Sequence, residues 1–279
     1  MKTKILKFSL LTAALGIGLW SCKKGMEPII NSNEIQASKI NTNQFSHNYR
    51  IKNIFNAFLN ESIINKEKFI SIINLEFEDE LNHLEEHTYY SIISDPFKMQ
   101  EITNLLTDKL IYNTDILNPG EYSVLTKSFY NEVISKIPNS LKVKIPVIWN
   151  DIKTGEITSN NYISKLNSEK NELLSNNQYN SNETMIIDSY FQIIKESYIL
   201  WHPTNLGGEG YYSTYNQIID NKVNFFNQTE RDDNDWPSGA VTPDYLNDDV
   251  IGGVAVSAVS GGWWGIIVGA VSASLMSAN

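Results

Sequence analysis

The sequence lacks most of the residues and motifs from which catalytic, redox and nucleic-acid-binding sites are built. Cys22 is its one cysteine, which excludes an intramolecular disulfide. Arg50 and Arg231 are its only arginines and the formal net charge is −10, so we expect no nucleic-acid partner, because phosphate binding needs clustered basic side chains. There is no G-x-S-x-G, P-loop, G-x-G-x-x-G, H-E-x-x-H or Cys/His cluster. We therefore predict neither an enzyme nor a cofactor.

The first residues have the pattern of a secretory signal. The basic run MKTKILK is followed by the apolar run FSLLTAALGIGLW, which is too short for a resident membrane helix. The small residue Ser21 then precedes Cys22. We predict a signal peptide over residues 1–21 and a flexible polar tether over residues 22–43.

The run Leu19-Trp20-Ser21-Cys22 resembles the lipobox of bacterial lipoproteins, with Trp20 where that family usually has Ala, Ser or Thr. The resemblance implies cleavage before Cys22, diacylation of its thiol and acylation of the new N-terminus. Two or three acyl chains anchor a protein stably where one does not. We expect a bacterial cell-envelope protein, facing the outer membrane or the periplasm, that binds the membrane through acylated Cys22. The alternative is an ordinary secretory signal with an incidental cysteine.

Residues 44–203 have apolar side chains three and four positions apart, which predicts an all-α bundle of about six helices. One of these helices is predicted over Lys66–Ile93. The run LKVKIPVIW, Leu141–Trp149, is the one plausible strand, and Pro146 would confine it to an edge. Residues 204–249 contain an acidic, Pro- and Gly-containing stretch and are predicted to be an irregular linker.

Two binding hypotheses concern this linker and its border. Acidic residues on a flexible loop can bind Ca²⁺, although they lack the spacing of an EF-hand and a solvated linker is the simpler interpretation. They are Asp232, Asp233, Asp235, Asp244, Asp248 and Asp249. Aromatic residues could form a sugar-stacking platform, although after a helix they more often pack in a core. They are Trp201, Tyr211, Tyr212 and Trp236.

His83-Leu84-Glu85-Glu86-His87 matches the H-x-x-E-H pattern of inverted zinc metalloproteases. On one helix His83 and His87 would share a face as zinc ligands, with Glu86 as the base. The resemblance implies a third ligand, a glutamate further along the chain, for which Glu156 is the nearest candidate. The alternative is a solvated helix face that carries two histidines among carboxylates.

The C-terminal segment, residues 250–279, contains no charged side chain. Every fourth residue is small, which on a helix makes one stripe that another helix can approach closely. The stripe consists of Gly253, Ser257, Gly261, Gly265, Gly269 and Ala273. As one helix the segment would be about 43 Å long, longer than the ~30 Å hydrocarbon layer of a bilayer. The Gly261-Gly262 pair instead favours two short helices in a hairpin.

This segment resembles the glycine-rich C-terminal segments of small pore-forming bacteriocins and of uncharacterised Bacteroidota envelope proteins. The resemblance implies helix association through Gly261, Gly265 and Gly269 in a membrane, although those peptides are usually cationic and this segment is neutral. We predict a lipid-anchored envelope protein with a non-catalytic structural or interaction role, whose C-terminal helix packs against the membrane, a protein partner or a second copy. A bacteriocin-like membrane-active effector and a zinc-dependent hydrolase are the alternatives.

Overall fold

The computed structural model of the chain describes residues 46–114, 122–176, 178–225, 243–261 and 263–276. The predicted signal peptide, Cys22 and the tether lie outside these ranges, as do residues 226–242 of the predicted linker. Within the described ranges the chain forms twelve α-helices, and the only β pairing there is an isolated bridge between Ile64 and Val223. The predicted all-α class is confirmed, and nine of these helices lie between His47 and Trp201, where about six were expected.

In chain order the α-helices are α1 (His47–Asn60), α2 (Lys66–Glu76), α3 (Glu78–Leu84), α4 (Tyr90–Ile93), α5 (Pro96–Leu110), α6 (Val124–Lys136), α7 (Asn139–Thr154), α8 (Tyr162–Asn176), α9 (Ser181–Trp201), α10 (Tyr211–Lys222), α11 (Pro243–Ser260) and α12 (Trp263–Ser274). We call α1–α10 the helical shell. We call α11 and α12 the C-terminal hairpin.

Several shell helices begin at a side chain that caps their first turn. Asn65 accepts a hydrogen bond from the backbone N–H of Lys68 at 2.8 Å, and Asn180 forms a complete capping box with Glu183 at the start of α9. Asp95 caps α5, whose first residue is Pro96. These side chains satisfy N–H groups that have no partner within the helix, and so they determine where each helix starts.

Two sequence predictions about the shell are wrong. Leu141–Trp149 is not a strand but the middle of α7, because Leu141, Ile145 and Trp149 recur at helical spacing and are buried on one side. Pro146 removes one backbone hydrogen bond from this helix, and burial of the apolar side outweighs that loss. The predicted helix over Lys66–Ile93 is divided into α2, α3 and α4.

The C-terminal hairpin forms the centre of the bundle. It packs against α1, α3, α5, α6 and α9. Every residue from Tyr245 to Val259 is buried, and so are most described side chains of α12. The turn between its two helices is at Gly261, whose φ of +65° favours glycine because a Cβ atom is disfavoured in the left-handed region. Since α11 begins at Pro243, the helix runs across the predicted domain boundary at residue 250.

Glycines allow the two helices of the hairpin to approach backbone to backbone. A Cβ atom on Gly252 would lie 2.5 Å from the carbonyl oxygen of Gly269 and 2.7 Å from the Cβ of Ala273. A Cβ atom on Gly269 would in turn clash with the Gly252 carbonyl, and one on Gly265 would clash with Val256. The helices therefore cross where neither has a side chain.

The predicted small-residue stripe is distributed over two interfaces of the bundle. Gly253 contacts Ile193 of α9, and the hydroxyl of Ser257 lies 3.3 Å from that of Ser189 on the same helix. Gly265, Gly269 and Ala273 face α11 instead. The small residues thus pack within the protein, against the hairpin itself and the shell. Of the helices in the described ranges, none has both the length and the hydropathy needed to cross a bilayer.

We predict that Gly252→Val lowers the free energy of unfolding by at least about 2 kcal/mol, because the new side chain forces the two backbones apart. Urea denaturation of the purified protein measures this change. Val143→Ala is the control, since Val143 is 71% exposed on α7 and should change stability by less than about 0.5 kcal/mol. Equal stability of Gly252→Val and the unsubstituted protein would contradict the close helix crossing.

Candidate functional site

The most polar part of the hairpin is also buried. Asn247, Asp248 and Asp249 follow one another in α11, and each is at most 6% exposed. Contrary to the prediction of a solvated acidic linker or a calcium loop, Asp248 and Asp249 lie inside the bundle. The predicted residues Asp232, Asp233 and Asp235 lie outside the described ranges.

Asp249 is the centre of a buried cluster that joins three helices. We call Asp249, His47, Ser197 and Trp201 the Asp249 cluster. The Nε2 atom of His47, at the start of α1, lies 3.1 Å from Asp249 Oδ1 as an ion pair. From α9, the Trp201 indole N–H donates to Asp249 Oδ2 at 2.7 Å, and the Ser197 hydroxyl donates to the same oxygen. Oδ2 of this fully buried carboxylate thus accepts two hydrogen bonds, and Oδ1 faces His47 as an ion-pair partner.

The charge of His47 follows from its surroundings. Burial by itself lowers the pKa of His47, but the Asp249 carboxylate, with smaller contributions from Asn48 and Glu196, raises the pKa above its ordinary value. The ring's other nitrogen, Nδ1, lies 2.9 Å from the side-chain oxygen of Asn48. A protonated imidazolium can donate from both nitrogens, to Asn48 and towards Asp249. The cluster is therefore a buried ion pair in which the neighbouring groups stabilise both charges.

The Asp249 cluster contains serine, histidine and aspartate, but not in the order that nucleophilic catalysis needs. In a catalytic triad the histidine lies between the serine and the aspartate and takes the serine proton. Here the aspartate lies between the other two, and Ser197 donates to it directly. His47 is also only 2% exposed. The geometry holds helices together and does not activate the serine.

The neighbours of Asp249 join the hairpin to α5. The side-chain amide of Asn247 donates to the hydroxyl of Thr107 at 2.9 Å. The side-chain amide of Gln100 donates to the carboxylate of Asp248 at 2.8 Å. Three consecutive polar residues of α11 thus contact three shell helices, which gives the hairpin one orientation and one depth in the bundle.

Shell side chains also satisfy carbonyl groups at the ends of both hairpin helices. The Nε2 atom of His87 lies 3.1 Å from the carbonyl oxygen of Val259 near the end of α11. The hydroxyl of Tyr215 donates to the carbonyl of Leu275 after α12. Carbonyls in the last turn of a helix have no partner within the helix, so a buried end needs such donors.

The H-x-x-E-H residues do not form the metal site that the zinc-hydrolase alternative requires. Helix α3 ends at Leu84, before His87, so His83 and His87 do not lie on one helix face as zinc binding by this motif would require. His83 is exposed and its Nδ1 lies 2.6 Å from the carbonyl of Asp79, while Glu86 is also exposed. His87 uses both ring nitrogens, since Nδ1 accepts from the N–H of Tyr89 and Nε2 contacts Val259. Among the residues that the structure describes, no group of three His, Cys, Asp or Glu side chains could hold a metal ion.

Trp201 is a core residue and not part of an exposed sugar-binding platform. It is fully buried, and its ring centroid lies 5.0 Å from that of Tyr245 and 6.1 Å from that of Phe55. Tyr211 and Tyr212 are partly buried against the same core. Trp236 lies outside the described ranges.

Sequence reasoning missed His47, Ser197 and Asn247. One signal for Asn247 and its neighbours was present: the Asn-Asp-Asp run continues directly into an uncharged helical pattern and so belongs to the same helix. His47 and Ser197 gave no such signal, because their partner Asp249 is distant in the sequence.

We predict that Asp249→Asn destabilises the domain by about 3–5 kcal/mol, because it leaves the buried charge of His47 without its counter-charge. Urea denaturation measures this loss. Asp188→Asn is the matched control: Asp188 forms a partly exposed ion pair with Lys170, and its loss should cost at most about 1 kcal/mol. Equal effects of the two variants would contradict the importance of the cluster.

We predict that the ion pair makes stability depend on pH. Because the folded-state pKa of His47 is raised, its contribution is complete below the unfolded histidine pKa of about 6.5 and is lost as the pH rises through the folded-state pKa. Unfolding free energies measured from about pH 6 to about pH 9 should fall more steeply for the unsubstituted protein than for His47→Gln. The exposed His83→Gln variant should keep the original slope, and a His47→Gln variant with that same slope would refute the prediction.

No protein-family model matches the sequence, and no similar curated protein or solved structure was found. Function is therefore inferred from the chain's own residues and contacts.

Proposed function

We propose that the protein is a lipid-anchored component of the bacterial cell envelope whose helical domain has a non-catalytic, structural or binding role. The observation that carries this proposal is the order of the N-terminal residues: a basic run, an apolar run of secretory length and then Leu19-Trp20-Ser21-Cys22. Acylation of Cys22 would place the chain on a membrane, facing the periplasm or at the outer membrane. The polar residues up to position 43 would then separate the anchor from α1.

The internal bonding of the reactive side chains supports the non-catalytic part of the proposal. The Ser197 hydroxyl donates to a buried carboxylate, and both ring nitrogens of His87 contact groups within the fold. His47 neutralises Asp249 and does not face solvent. In each case the group that could act on a substrate instead stabilises the position of the hairpin.

The C-terminal segment enters this proposal differently from the sequence expectation. Its small residues contact α9 and each other, so a role for them in binding a membrane or a second protein requires the hairpin to leave the bundle. The alternative of a membrane-active effector has the same requirement, and what favours it is the absence of charge from Val250 onwards. We therefore assign the membrane contact to Cys22 and the interaction role to the outer surface of the shell.

We predict that the protein expressed in its host envelope incorporates radiolabelled palmitate and fractionates with membranes. Cys22→Ala should abolish both, because the thiol is the acylation site and no second anchor is proposed. Ser38→Ala, in the same predicted tether, is the control and should keep the label. A Cys22→Ala protein that still sediments with membranes would contradict the proposed anchor.

A further inference from the structure

We infer that the helical shell and the C-terminal hairpin become stable only together, so that the shell reaches its native packing only after the hairpin has been synthesised. The fold thereby delays its own completion. For a chain that is exported, this delay keeps the precursor unfolded while it is being made. This use of the delay rests on the proposed envelope location, whereas the folding order itself does not.

The contacts that hold the hairpin join residues that are far apart in the sequence. His87 and Val259 are 172 residues apart, Gln100 and Asp248 are 148 apart, and Thr107 and Asn247 are 140 apart. None of these contacts can form before the residues of α11 have been synthesised. Contacts between distant residues form late because the loop between them must close first.

Without the hairpin, several buried groups of the shell would have no partner. Trp201 would lose the acceptor of its indole N–H, His47 would lose its counter-charge, and Thr107 would lose the amide that binds it. Each buried polar group left without a partner costs about 1–3 kcal/mol, more for a charge. The apolar sides of five shell helices would also lose the surface they pack against. The shell therefore lacks a stable native packing of its own.

The hairpin would not be a stable structure without the shell. Its helices have 18 and 12 residues, and an isolated helix as short as the second is marginal in water. Gly252, Gly253, Gly265 and Gly269 lie inside them, and each costs about 1 kcal/mol relative to alanine. The hairpin therefore needs the shell and the shell needs the hairpin, so both become stable together.

This order has a consequence for export. Domains fold as units during synthesis, and a chain is made at about 5–20 residues per second. A chain whose core is completed by the C-terminal hairpin lacks its native packing until the hairpin has been made. A chain without stable tertiary packing can be drawn through a translocation channel more readily than a folded bundle.

The test uses ribosome-bound chains of the complete sequence, extended at the C-terminus by a polar linker of two lengths. With the short linker the hairpin is still inside the exit tunnel, and with the long linker it has emerged. We expect the short-linker chain to be digested by a dilute protease at least about tenfold faster, since proteolysis follows the population of the open form. A shell fragment that is equally resistant in both chains would overturn the inference.

Two variants and one further measurement make the test specific. Long-linker chains with Gly252→Val should be digested faster than the unsubstituted long-linker chain, whereas those with Val143→Ala should stay as resistant as the unsubstituted chain. In refolding of the purified full-length protein, pulsed hydrogen exchange should show protection of α5, α9 and α11 in the same phase. Earlier protection of α5 and α9 would overturn the inference. Palmitate labelling of Cys22 is independent of folding order, so its failure would affect only the proposed location.

Discussion

The domain depends on a fully buried carboxylate, that of Asp249. An unpaired charge in a protein interior costs several kcal/mol, and this cost is offset only when partners are fixed around the charge. His47, Ser197 and Trp201 supply these partners from α1 and α9. The single side chain of Asp249 therefore fixes how α1, α9 and the C-terminal hairpin lie relative to one another.

Close packing in the hairpin and polar bonding at its start complement each other. The crossing of Gly252 and Gly269 allows two apolar helices to occupy the centre of the bundle, but small residues alone would permit many sliding positions. The hydrogen bonds from Gln100 to Asp248 and from Asn247 to Thr107, together with the contacts of Asp249, select one of these positions. Apolar burial supplies most of the stabilisation, and the polar contacts supply the specificity. The polar contacts to the hairpin are made by side chains of types that also occur in catalytic sites, namely His47, Ser197 and Tyr215.

Sequence patterns predicted well those features that depend on near neighbours along the chain. The all-α class and the break at Gly261 follow from apolar spacing and backbone preference. The patterns were misleading where a distant contact changed the environment of a residue. Pro146 indicated a strand edge, yet burial of one side of α7 keeps a helix there. His83 and His87 indicated a zinc site, yet the helix ends between them and His87 contacts the end of α11.

The sequence by itself determined that the chain is helical, that its last thirty residues are free of charge, and that their small residues permit close helix contact. It also carries, in Leu19-Trp20-Ser21-Cys22, the basis for the proposed anchor. Only the tertiary structure decided that the uncharged segment is the core and that Asp248 and Asp249 are buried. The physical reason is that an uncharged glycine-rich helix is compatible with a bilayer, a partner or a protein interior. The choice among them depends on whether distant residues such as His47 and Gln100 provide ion-pair or hydrogen-bond partners for the polar residues that precede the uncharged segment.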